Sequence, residues 1–297
     1  MGKINLKKVA IPNGEEIAFR IGGSGSETLV LVHGNLVSSR HWGTLLERLS
    51  EKFRVIAIDM RGAGLSSYNN PIETFKDWSN DLRLFCDEMG IKDFTLLGWS
   101  MGGGVSQQFV IDNPRYAKKL ILFESVPCSG YPYRKQGPNG EFLEEYYDNK
   151  ENLLKDSMQL KPMIDGLETR NRDLMRQLWD MLVLNVNTPE EAEYEALIDD
   201  ILMTRNLKDA AWAAHIFNIS HINNGAVDGS GEIDNIYIPV LIFAGDKDLV
   251  CPIPMAEFTK NEIGENALLE ILPNCSHTPH YDNEDLVVEK ISKFVFE

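Results

Sequence analysis

Ser100 sits at the centre of Gly98-Trp99-Ser100-Met101-Gly102, between an apolar run starting at Phe94 and a segment of helical pattern. A strand before and a helix after is the setting a nucleophile elbow needs. The turn is so tight that the serine backbone is strained and its neighbours must lack bulk. Such a turn would lift the Ser100 hydroxyl above the edge of a sheet. A Gly-rich strand–helix turn can instead cradle a phosphate at the helix N-terminus, but neither Gly-x-Gly-x-x-Gly nor Gly-Lys-Ser/Thr occurs in the chain.

A serine hydroxyl is a poor nucleophile at neutral pH. It needs a base, the base needs an acid to orient it, and the oxyanion formed on attack needs donors. In elbow hydrolases the acid and then the base follow the serine along the chain. The acid is sought after the continuous apolar run Ile238–Ala244, in Gly245-Asp246-Lys247-Asp248. Asp248 lies further out on that turn, where it can swing toward a histidine, and is the expected acid. Asp246, nearer the strand, suits bonds to the loop backbone. Glu124, closing the run from Lys119, is a third candidate. The base is sought after Ala267–Leu272, in Pro273-Asn-Cys-Ser276-His277-Thr-Pro-His280. His277 is the expected base; His280 is the alternative, more simply a surface or cap-facing ring. His41, His215 and His221 fall in helical or cap-like patterns. The expected oxyanion donors are the backbone N–H groups of Met101, next after the nucleophile, and Asn35, in the loop after Thr28-Leu-Val-Leu-Val-His33-Gly34. His33 reads as a structural histidine bonded to nearby backbone.

These residues must be held by regular elements. Pro12-Asn13-Gly14 and the weak alternation around it predict an antiparallel hairpin before the main sheet. Phe75, Trp78, Leu82, Phe85 and Met89 recur at helical spacing, as do Val287, Ile291, Phe294 and Val295. Strands alternating with helices imply an α/β fold with a doubly wound, mostly parallel sheet. Between residues 126 and 235 the patterns turn helical and no buried-strand run appears.

His33-Gly34, Asp59-Met-Arg-Gly62-Ala-Gly64-Leu-Ser66, the Ser100 elbow, Gly245-Asp-Lys-Asp248 and Ser276-His277 together resemble the α/β-hydrolase superfamily over nearly the whole chain. The resemblance implies a core of residues 1–125 and 236–297 with a helical cap, residues 126–235, over Ser100. It also implies that the Asp59–Ser66 turn shapes the rim of the site. Ser276 departs from the Gly often found before the base. Serine at the elbow, where epoxide- and halide-processing relatives carry Asp, implies acyl chemistry, most simply ester hydrolysis through an acyl-enzyme. Water resolves that intermediate, so no cofactor and no metal are expected. The Gly98–Gly102 pentapeptide and the chain length are similar to intracellular polyhydroxybutyrate depolymerases of bacilli. Small-ester, lactone and C–C bond hydrolases, cofactor-free haloperoxidase-like perhydrolases and ligand receptors of the same fold are the alternatives.

At 297 residues the chain fits one large domain with an insertion. A net charge of −16 argues against nucleic acid and anionic membrane surfaces as partners. The four cysteines show no paired or zinc-like spacing. The N-terminal segment has no apolar leader core, and Leu6 stands where myristoylation at Gly2 would want Ser or Thr. Cytoplasmic localisation is therefore expected.

Overall fold

The apolar runs become the inner strands of one eight-stranded sheet in the computed structural model, which describes residues 3–297. The Gly2 reading lies outside those residues. In chain order the strands are β1 (Asn5–Ala10), β2 (Glu16–Gly22), β3 (Thr28–Val32), β4 (Arg54–Ile58), β5 (Phe94–Trp99) and β6 (Ala117–Phe123). A separate hairpin, β7 (Arg134–Gln136) with β8 (Phe142–Tyr146), precedes β9 (Val240–Gly245) and β10 (Ala267–Leu272). The spatial order is β1-β2-β4-β3-β5-β6-β9-β10, with β1–β2 and β2–β4 antiparallel and the other pairs parallel. The doubly wound, mostly parallel α/β fold and its N-terminal hairpin are as expected from the sequence.

Strand side chains alternate between faces. Val30 and Val32 pack on one face with Phe75 and Trp78. Leu29 and Leu31 pack on the other with Trp42 and Leu45. The first helices are α1 (Gly43–Ser50), α2 (Phe75–Met89) and α3 (Met101–Asp112). The predicted face of α2 is buried through Phe75, Trp78, Leu82 and Phe85, and Thr74 and Asp77 form a reciprocal cap that satisfies its first N–H groups.

Residues 126–235 contain β7 and β8 and the helices α4 (Lys150–Leu153), α5 (Lys161–Glu168), α6 (Arg172–Leu182), α7 (Glu191–Ile201) and α8 (Leu207–Ile216). The β7–β8 hairpin departs from the helical expectation. Its strands are short and only partly buried, so they carry no apolar run, and Gly137-Pro138-Asn139-Gly140 supplies the turn. Met175 and Trp179 of α6 and Tyr194 of α7 join the same apolar cluster as Trp42 and Trp99. The chain closes through α9 (Ile253–Ile263), α10 (Pro279–Asp282) and α11 (Glu284–Phe296).

Cys86, Cys128, Cys251 and Cys275 are all buried and unpaired. Burial raises every one of these thiol pKa values, that of Cys128 to about 12.

The Asp59–Ser66 turn is anchored from beneath. Arg61 donates Nε and Nη2 to the two carboxylate oxygens of Asp81 on α2, at 2.7 and 2.9 Å, with both side chains buried. Burial outweighs Arg61 and leaves the Asp81 pKa above its usual range. Arg61→Met strands that carboxyl and is expected to destabilise the fold by about 3–5 kcal/mol at neutral pH. Without its guanidinium, the folded pKa of Asp81 rises further above the unfolded value than it already stands. The deficit is therefore smallest below about pH 4 and grows as pH rises through the folded pKa. Urea melts of both proteins across pH measure it, and a deficit that shrinks as pH rises contradicts this account.

Candidate active site

The elbow follows from what surrounds it. A Cβ on Gly98 would lie 2.4 Å from the Gly102 carbonyl oxygen, and one on Gly102 would lie 2.3 Å from that of His33. Both are closer than real contacts allow, so the turn admits only glycine there. Between them Ser100 is driven to φ 55°, ψ −123° at the junction of β5 and α3. That conformation is strained for a residue with a side chain and is held by the surrounding structure. The Ser100 N–H donates to the Phe123 carbonyl at 3.0 Å, and its own carbonyl accepts from Val126 at 3.0 Å. The His33-Gly34 loop lies directly against it: a Cβ on Gly34 would come within 2.9 Å of the Ser100 Cβ.

Ser100, Met101, Gly34, Asn35 and His277 line one cavity of about 410 Å³. Asn35 uses its side-chain oxygen to accept the Leu36 N–H at 2.9 Å, where the loop takes a positive φ of 61°. The side chain thus shapes the turn.

The loops after β9 and β10 bring Asp248 to His277. His277 Nδ1 stands 2.8 Å from Asp248 Oδ2, and both residues are buried. The other oxygen of Asp248 accepts the N–H groups of Val250 at 2.7 Å and Cys251 at 2.9 Å. Burial pushes the Asp248 pKa up. The opposing pull of His277 and of these hydrogen bonds is greater and holds it below the usual carboxylate range. An ionised Asp248 assigns the Nδ1 proton to His277 and leaves Nε2 as the acceptor. Trp99 fixes the loop from below by donating its indole N–H to the His277 carbonyl at 2.9 Å.

The other candidates lie elsewhere or play other parts. Asp246 is exposed and accepts the Cys275 N–H at 3.3 Å. Glu124 is fully buried and accepts the Gly245 N–H at 2.8 Å. Burial first, and then the adjacent Asp248 charge, push its pKa well above normal, which keeps it a neutral acid. His33 donates Nδ1–H to the Gly34 carbonyl at 2.7 Å and accepts the Met60 N–H at Nε2, a structural role as expected. His280 corrects the sequence reading. It is not a surface ring but is buried against Trp42, Trp99 and Phe123, donating Nε2–H to the His41 carbonyl. Burial drops its pKa to about 3, which leaves it neutral. His41 pairs with Asp200 of α7 at 3.2 Å.

Sequence reasoning missed Asp282. Its carboxylate accepts both the N–H and the hydroxyl of Ser276, each at 2.6 Å, which ties down the residue before His277. The serine in place of glycine was the available signal.

Asp248, Cys251 and His277 also bring potential metal-ligating atoms within 4.8 Å of one another. A metal there would have to break the His277–Asp248 bond and ionise a thiol whose pKa burial and two neighbouring carboxyl groups hold far above normal. The set therefore suits a hydrogen-bonded pair better than a metal.

Four aromatics of residues 126–235 line the cavity: Tyr131, Tyr133, Phe142 and Trp179. Phe142, Met158, Met181 and Leu249 line it while staying exposed, and so form an apolar rim at its mouth.

Comparisons place the chain among known proteins. It is 26% identical over 277 residues to a pimeloyl-[acyl-carrier protein] methyl ester esterase of Nitrosospira multiformis, covering 92% of this chain and 95% of the relative. It is 26% identical over 287 residues to a proline iminopeptidase of Pestalotiopsis fici, covering 94% and 95%. An esterase from Exiguobacterium antarcticum has the same fold, with a TM-score of 0.75 at 20% identity, covering 98% of this chain and 99% of that one. A bromoperoxidase from Bacillus anthracis matches with a TM-score of 0.74 at 21% identity over 99% and 100%. No helix among the described residues is long and apolar enough to cross a membrane. The model of the alpha/beta hydrolase fold matches residues 27–284, and the chain belongs to that family.

Proposed function

We propose that the protein is a serine hydrolase that cleaves an uncharged carboxylic ester through an acyl-enzyme. One observation carries the reading: Ser100, strained at the elbow, shares a cavity with His277, whose far nitrogen is held 2.8 Å from Asp248. Ser100 Oγ attacks the carbonyl carbon and passes its proton to His277 Nε2. The oxyanion is held by the N–H groups of Asn35 and Met101, each contributing ~3 kcal/mol toward lowering the barrier. Collapse breaks the ester C–O bond, and the alkoxide leaves with the proton from His277. Water then gives a proton to His277, attacks the acyl carbon and releases the acid, restoring Ser100.

The cavity wall favours an ester over a peptide substrate with a free amino end. None of the residues lining it is Asp, Glu, Lys or Arg. A buried ammonium or carboxylate without a partner costs several kcal/mol. The relative named as an iminopeptidase therefore does not lend its activity to this site. Nor do the relatives support the polyester reading, and Trp99, the distinctive residue of the pentapeptide, has a structural role in holding the His277 loop. Polyhydroxybutyrate remains one member of the ester class to test.

For esters matched in length, kcat/KM is expected to fall at least ~100-fold when a free carboxylate replaces the neutral end of the acyl chain. Amorphous polyhydroxybutyrate, short p-nitrophenyl esters, lactones and a prolyl amide complete the panel. A preference for the acidic ester, or for the amide, would sink this reading.

A further inference from the structure

Beyond the reacting atoms the cavity is walled by aliphatic, methionine and aromatic side chains, yet two polar groups from residues 126–235 stand out on it. Tyr133 is partly buried and lines the cavity. Its ring packs 5.8 Å from Tyr131 and 6.2 Å from His215. Its N–H donates to His215 Nδ1 at 2.9 Å, and His215 is itself fixed by donating to the Tyr147 carbonyl at 2.8 Å. Among the described residues no partner meets the Tyr133 hydroxyl, whereas the neighbouring Tyr131 hydroxyl donates to the Val250 carbonyl at 3.4 Å.

Gln159 is oriented just as firmly. Its Nε2 donates to the Arg134 carbonyl and to Asp156 Oδ2, both at 2.9 Å, and its N–H donates to Asp156 Oδ1. Since both acceptors face the amide nitrogen, the amide oxygen is the free end, and Gln159 also lines the cavity. An apolar pocket with a few fixed, unpaired polar groups is how a protein selects among ligands of equal size. Filling such a pocket with methylene alone leaves each polar group desolvated without a partner.

We propose that Tyr133 is a specificity-determining residue: its hydroxyl donates to an uncharged oxygen function set along the acyl chain away from the scissile ester, and where that function is a hydroxyl the amide oxygen of Gln159 is the acceptor for its proton. The substrate class is then an oxygenated acyl ester, carrying a ketone, hydroxyl or second ester carbonyl, in preference to a plain alkanoate. The group is uncharged because no opposite charge lines the cavity to receive it. This rests on the ester-hydrolase reading for its turnover but not for its binding contact.

The test uses methyl esters of equal chain length in which one methylene is exchanged for a carbonyl at each position in turn. At one position kcat/KM is expected to favour the oxo ester, and Tyr133→Phe is expected to reduce that preference roughly tenfold. Tyr131→Phe, which removes a hydroxyl already bonded to backbone, is expected to keep the preference. Tryptophan-fluorescence titration with unreactive long-chain monoketones and matched diketones reads the same ratio without turnover. Loss of the binding ratio in Tyr133→Phe upholds the contact even where no ester is cleaved. An unchanged ratio at every position, in turnover or in binding, overturns it and makes the hydroxyl a merely hydrated group.

Discussion

Ser100→Ala is expected to remove both turnover and covalent labelling by a fluorophosphonate, while leaving the fold intact. The wild-type chain should take up one equivalent of the probe, because Ser100 lines the same cavity as His277. Alanine keeps the Cβ that the elbow already accommodates at φ 55° and removes only the oxygen. Stability should therefore change by less than about 1 kcal/mol, in either direction, since relief from the strained conformation is not gained. The expected loss of rate is at least ~10⁴-fold, with the residue of activity coming from the oxyanion donors and binding alone. Stoichiometric labelling by intact-mass spectrometry, with esterase assays on both proteins, measures it. Labelling that persists in Ser100→Ala would move the nucleophile elsewhere.

Asp248→Asn is expected to lower kcat by about 10⁴-fold with little effect on KM. The amide can no longer hold the Nδ1 proton of His277, so the imidazole adopts the tautomer that turns its N–H toward the serine and cannot accept the proton. Folding should survive, because Asn still offers an oxygen to the Val250 and Cys251 N–H groups that Asp248 now satisfies. Asp246→Asn, at an exposed residue bonded only to loop backbone and near Lys247, is expected to cost less than about tenfold. Steady-state kinetics on the two variants decide the assignment. The reverse ranking gives the role to Asp246, and near-normal rates in both point to Glu124, the neutral acid behind Asp248.

The residues brought together around Ser100 could be read from the chain because each lies just past the end of an apolar run. β3, β5 and β9 are buried parallel strands whose continuous hydrophobicity marks where each ends and the next loop begins, and β10, at the sheet edge and partly exposed, is marked by a shorter apolar run. That Asp248 rather than Asp246 meets His277 was legible for a local reason: two residues along one turn separate a side chain that bonds the loop from one that reaches across to the next loop. What was not legible depends on contacts distant in sequence. The burial of His280 requires Trp42, Trp99 and Phe123, which come from three other segments. The raised pKa of Glu124 comes first from its burial and then from Asp248, more than a hundred positions away. The β7–β8 hairpin is half exposed and has too little apolar periodicity to register. Which aromatics of residues 126–235 face the cavity is set by how short helices stack, and helical spacing alone does not encode that.

The four buried thiols have a consequence for how the molecule can be watched in solution. A thiol reacts as its anion, and burial suppresses ionisation at every one of these sites, so modification by a disulfide reagent must wait for local opening. The sites sit on different parts of the fold. Cys86 is on α2 against the sheet, whereas Cys251 is in the turn whose N–H groups hold Asp248. Cys86 thus gauges global unfolding, and Cys251 gauges the breathing of the loop that carries the acid. With the other three replaced by serine or alanine, the exchange rate of Cys251 becomes a clock for how often the site disassembles at rest, and a ligand seated in the cavity slows that clock by as much as it steadies the loop.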